Sequence, residues 1–106
     1  YLNIHNHDDQ ILINEEIESL QPDVLILDNL SSLSSGRDEN SNSDIDSILH
    51  WLLQLRHKGL AVILVHHAGK NHKDQRGPSR IEDIMDTSIR LNGENNYGEG
   101  ASFTIE

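Results

Sequence analysis

Two short apolar runs constrain this chain more than any other feature: Asp23–Asp28 (DVLILD) and Leu60–Val65 (LAVILV). Each is too short for a buried helix and is rich in β-branched and large aliphatic residues, the pattern of a strand buried on both faces. Between them Ile45, Ile48, Leu49, Leu52 and Leu55 recur at helical spacing, with Trp51 expected to pack toward the sheet. Ser43 stands as N-cap with Asp46 at the third helical position, and Gly59 occupies the site just past the helix end. A helix over 44–57 joining two such strands is a βαβ crossover, which demands a parallel pair and a right-handed connection. The carboxyl ends of both strands then open on the same side, where parallel sheets collect their ligands.

The flanking segments extend this α/β plan. Leu2–His5 reads as a strand end and Asn6–Asp9 as a polar turn. A helix follows over Asp9–Leu20, carrying Ile13, Ile17 and Leu20, with Ile11 and Leu12 widening its apolar face, until Gln21-Pro22 stops it. Residues 29–42, rich in Ser and Asn, read as a loop, and residues 68–80 as a basic loop bearing Gly and Pro. Ser79 and Glu82 form an S-x-x-E capping box that opens a short helix through Met85. Thr87–Leu91 reads as a third strand, Asn92–Gly100 as a turn, and Ala101–Ile105 as an edge hairpin strand.

At 106 residues the chain is expected to form a single domain over 1–106. With no cysteine it can hold neither a disulfide, nor a thiolate metal site, nor a cysteine nucleophile. No apolar run approaches the ~20 residues that cross a bilayer and no signal segment opens the chain, so a cytoplasmic location without membrane contact is expected. The net charge of −10 is unevenly spread. Residues 1–55 carry −10, residues 56–80 carry +5, and residues 81–106 carry −5. The acidic body opposes general binding of polyanions, leaving the basic island as the one stretch suited to them.

The groups able to do chemistry stand at the two strand ends: Asp28 on the first, His66 and His67 on the second. A carboxylate at such an end suits a hard cation held through water beside a phosphate. It equally suits the cap of the following turn. Adjacent strand residues point apart, so only one of the two histidines can face a ligand beside Asp28. Glu15 and Glu16 read as the solvated face of the first helix.

The ordered set VLILDNLSSL, helix, AVILVHHAGK, QRGPSRIEDIMDTSIRL resembles the later half of a RecA-like ATPase core. The likeness covers about residues 23–91 and is strongest to hexameric plasmid-type replicative helicases and to the related AAA-family ATPases encoded beside primases. It implies a partial RecA-like, P-loop NTPase three-layer sandwich with a mostly parallel sheet and a C-terminal edge hairpin. It further implies that Asp28 is the Walker B aspartate, orienting magnesium through water, and that His67 senses the γ-phosphate. Arg76 of the Arg-Gly-Pro-Ser stretch matches the arginine finger, which reaches a neighbouring subunit's phosphate. The implied nucleotide-binding set is Asp28, Asn29, His66, His67 and Lys70, with Lys70 suited to phosphate or DNA. The implied cofactors and partners are ATP, Mg2+, single-stranded DNA and further copies of the chain in a homo-oligomer, hexameric in that family.

Departures from the family pattern shape the expectation. No G-x-x-x-x-G-K-[ST] occurs in the sequence, and Asn29 stands where relatives often carry a second acid. By itself the chain is expected not to hydrolyse ATP efficiently, being either part of a longer ATPase or a degenerate module. Two other classes remain open: a non-catalytic assembly or nucleic-acid-binding module, and a metal-dependent hydrolase built on His5, His7, Asp8 and Asp9 with Asp28 and the His66-His67 pair.

Overall fold

The computed structural model describes residues 2–34, 42–67, 79–93 and 103–105. Their elements are α1 (His7–Leu20), β1 (Val24–Asp28), α2 (Leu30–Leu33), α3 (Asn42–His57), β2 (Ala61–Val65), α4 (Ser79–Glu82), β3 (Leu91–Gly93) and β4 (Phe103–Ile105). β1 and β2 pair in parallel, with Val24 opposite Ala61 and Asp28 opposite Val65. The parallel pairing is therefore the one that the two apolar runs demand.

α3 ends as its sequence requires. Gly59 adopts φ +84°, and its N–H donates to Arg56 O at 2.9 Å while the Leu60 N–H donates to Leu55 O at 3.2 Å. This pair of bonds closes a helix end through a left-handed residue and turns the chain straight into β2. On its inner side α3 buries Ile45, Ile48, Trp51, Leu52 and Leu55. Trp51 packs in the core as expected, and its Nε1 donates to Asn14 Oδ1 of α1 at 2.9 Å. The helix begins at Asn42, so Ser43 lies inside it, and Asp46 pairs with Arg80.

Several sequence expectations are corrected. Leu2–His5 is no strand: Ile4 and His5 form a turn, and Ile4 is completely buried. α1 starts at His7 instead of Asp9 because the Asn6 side chain caps it, accepting from the Asp8 N–H at 2.9 Å. Ile13 and Ile17 of α1 pack on the core, whereas Leu20 is 71% exposed. The helix stops at Gln21, which takes φ 49° ahead of Pro22. Within the expected 29–42 loop, residues 30–33 form α2, because Asn29 and Ser32 cap one another.

Among the described residues, the strands are covered on one face only. Leu25, Leu27, Val62 and Leu64 turn toward the core, while Val24, Ile26 (62% exposed) and Ile63 are open to solvent. The expected third parallel strand is also absent from this sheet. Residues 87–90 have no strand structure, and Leu91–Gly93 pairs antiparallel with Phe103–Ile105 as a separate two-stranded sheet. β4 falls within the expected 101–105 strand and lies in a sheet separate from the parallel pair, while Ala101, Ser102 and the expected turn over 94–100 lie outside the described residues.

α4 spans Ser79–Glu82, with turns carrying the chain to Met85. Ser79 is the first helical residue rather than the cap. Ile81 is buried, and Ile84 and Met85 pack against the same core. Arg80 pairs with Asp46 on α3, and Arg56 at the far end of α3 donates to Ile84 O at 2.8 Å and lies 3.4 Å from Asp86. The 79–86 stretch is thereby fastened along α3 by one buried anchor and two exposed cations.

Candidate functional site

The parallel register carries Asp28 and the residues following Val65 to one edge of the sheet. Side chains alternate along a strand, and His67, two residues beyond the end of β2 at Val65, comes to the side of Asp28. His67 Nε2 is 4.0 Å from Asp28 Oδ1. The two side chains are 68% and 66% exposed, so both groups are reachable from solvent. They stand at the rim of the open face, beyond Ile26 and Ile63.

Asn29 is differently committed. Its side chain accepts from the Ser32 N–H at 3.0 Å, and its own N–H donates to Ser32 Oγ at 3.5 Å. The amide that follows Asp28 thus serves as the cap of α2. The Asp28–Asn29 peptide bond is cis. Lys70 and Arg76 lie outside the described residues, so of the anticipated groups the structure brings together Asp28 and His67, with His66 and Asn29 adjoining them.

The donor set suits a hard divalent cation to a limited degree. The exposed carboxylate of Asp28 can hold such an ion through water, and no second acid stands beside it among the described residues. The hydrolase arrangement at the start of the chain does not form. His5 lies in a turn and His7 opens α1, so the two imidazoles share no strand face. Asp9 accepts from the Asn3 N–H at 2.9 Å, and no cluster of three metal-ligating side chains occurs among the described residues. Glu15 and Glu16 are both exposed on α1, as their solvated-face reading anticipates.

An open depression floored by Ile17, Leu55 and Leu60 lies at the opposite, amino edge of the sheet, between the ends of α1 and α3. It is remote from the acid–imidazole pair and lined by Glu18 and Lys58.

Sequence reasoning missed one polar residue of consequence. Gln10 is 6% exposed, and its Nε2 donates to Ile4 O at 2.6 Å and to Ser47 Oγ at 3.1 Å. A Gln on the first helix reads as solvated, and only the fold of the preceding turn over α1 encloses it.

A protein-family model described as an AAA domain matches residues 4–73. Searches of the curated proteins and of the solved structures returned no significant match. The matched stretch runs from the buried Ile4 through α1, β1, α2, α3 and β2 to beyond His67, and so includes the acid–imidazole edge.

Proposed function

The chain belongs to the AAA-domain family, and on that premise we propose that it is the later part of an ATP-hydrolysing core from a replicative-type DNA helicase. The observation that carries this reading is the meeting of Asp28 and His67, 4.0 Å apart, at the carboxyl edge of a parallel strand pair. Membership of the family implies nucleotide binding, generally with magnesium. In this reading Asp28 orients a magnesium ion through water, and the ion supplies charge neutralisation at the phosphates. His67 stands where it can hydrogen-bond a γ-phosphate oxygen or the water beside it. His66 adjoins it, and Asn29 holds the corner that follows the acid.

Three further roles rest on the sequence resemblance. Arg76 acts as a finger reaching the phosphate of a neighbouring copy, where a planar, permanently charged guanidinium suits a phosphoryl group. Lys70 contacts phosphate or single-stranded DNA. The working form is a homo-oligomer, with a hexamer as the expected ring.

The missing phosphate-cradling loop defines the test. Calorimetry of the 106-residue chain with ATP and magnesium is expected to show at most about millimolar affinity, with no turnover. The longer ATPase that carries such a loop is expected to hydrolyse ATP and to lose on the order of a hundredfold or more on Asp28→Asn. Unchanged hydrolysis in that variant would overturn the reading. It would leave the second one, a non-catalytic or degenerate assembly or nucleic-acid-binding module.

A further inference from the structure

We infer that Gln10 is a positioning residue for the Asp28 corner, acting through Ile4 and α2; the inference rests on the reading of Asp28 as the acid of the site. α2 is a single turn, and a helix that short has no interior, so its terminal groups need partners from outside. Its start is satisfied locally by the reciprocal Asn29–Ser32 cap. Its end is satisfied by Ser34, whose hydroxyl donates to Leu30 O, and from the beginning of the chain, where the Ile4 N–H donates to Leu33 O at 2.7 Å.

Ile4 is in turn held by Gln10. The Ile4 side chain is fully buried, and its carbonyl accepts from Gln10 Nε2 at 2.6 Å. The second hydrogen of the same amide reaches Ser47 Oγ at 3.1 Å, and that hydroxyl donates to His5 O at 2.9 Å. A continuous series of hydrogen bonds thus runs from Ser47 on α3 through Gln10 on α1 and Ile4 to the end of α2, whose other end is Asn29. The strand ladder sets where Asp28 sits along β1. α2 sets the course of the chain leaving it, and the Gln10 amide holds the far end of α2.

The side chain is chemically apt for this. A neutral amide offers two donors to two acceptors at little desolvation cost, whereas a carboxylate of the same length would offer none. Without it the Ile4 carbonyl becomes a buried acceptor with no partner, and the turn must shift to find one.

The test is nuclear magnetic resonance on the chain without nucleotide or metal, comparing Gln10→Met, which keeps length and helix propensity but removes the donors. Exchange of the Ile4 amide is expected to rise roughly tenfold. The Asp28 carboxyl carbon and the Ser32 and Leu33 amides are expected to shift, while the β1–β2 ladder keeps its protection. Perturbation that ends at Ile4, His5 and Ser47, with the Asp28 carboxyl signal unmoved, would overturn the inference. If Gln10→Met fails to fold, Ser47→Ala serves. It retains the Gln10–Ile4 bond and is expected to move the same signals by less; an unmoved Asp28 and Ser32 would again overturn the inference. These signals need neither ATP nor magnesium, so they judge the Gln10 linkage separately from the Asp28→Asn hydrolysis assay, which judges the acid.

Discussion

His67 Nε2 lies 4.0 Å from Asp28 Oδ1, across two strands whose register places Asp28 opposite Val65. Both side chains are about two-thirds exposed, so their contact is screened by water and contributes at most about 1 kcal/mol to folding. Asp28→Asn is therefore expected to leave the thermal midpoint almost unchanged while, in the proposed ATPase core, lowering magnesium-dependent ATP hydrolysis on the order of a hundredfold or more. A large loss of stability on calorimetry would mean that the carboxylate serves the fold instead.

Arg76→Ala tests the trans role. The substitution is expected to leave nucleotide binding nearly intact and abolish DNA-stimulated hydrolysis. Mixed with wild-type subunits, it is expected to act dominantly. Wild-type hydrolysis in the variant would reduce Arg76 to an ordinary surface charge.

Gly59→Ala isolates a backbone effect. A Cβ at this position would meet nothing within 4 Å, so any cost comes from φ +84° alone. A non-glycine residue in the left-handed region costs about 1–2 kcal/mol, which lowers the midpoint of a domain this size by ~4–16 °C. A neutral result by thermal denaturation would show that the α3–β2 junction relaxes to another course.

Ile48 and Leu20 form a contrasting pair. Ile48 is fully buried, and Ile48→Ala is expected to cost about 2–5 kcal/mol through lost contacts and the cavity left behind. Leu20 is 71% exposed, and Leu20→Ala should stay within about 0.5 kcal/mol. Equal losses in urea titration would contradict the contrast between the buried face of α3 and the exposed end of α1.

The two exposed cations that fasten 79–86 to α3 are open to a double-mutant cycle. The Arg80–Asp46 pair is expected to show a coupling of about 0.2–1 kcal/mol that shrinks at high salt. A coupling of zero at low salt would leave Ile81 as the main anchor of that stretch.

Sequence legibility followed the range of the forces involved. DVLILD and LAVILV name their own strands because period and length are local properties, and a helix between them leaves only a parallel pairing. Gly59 marks the end of α3 because few other residues tolerate φ +84°. The Asp28–His67 meeting followed from the same parallel register, since two strands crossing over in parallel must end on one side.

What the sequence determined by itself was therefore the set of local patterns: the βαβ unit, the helix stop at Gly59, the acid and imidazoles at the strand ends, and the motif order that marks an AAA domain. The tertiary structure alone decided which patterns found partners. Thr87–Leu91 carries strand-forming residues, yet the ladder partner for Leu91 is Ile105, because strand propensity does not specify which edge is available. Leu20 fits the helical stripe but is 71% exposed at the end of α1. Gln10 looks like a solvated residue and becomes a buried clasp, because the Ile4 turn folds over it and brings a carbonyl that its amide reaches. Burial and hydrogen-bond partners are relations between distant segments, so they exist only once the chain has closed on itself.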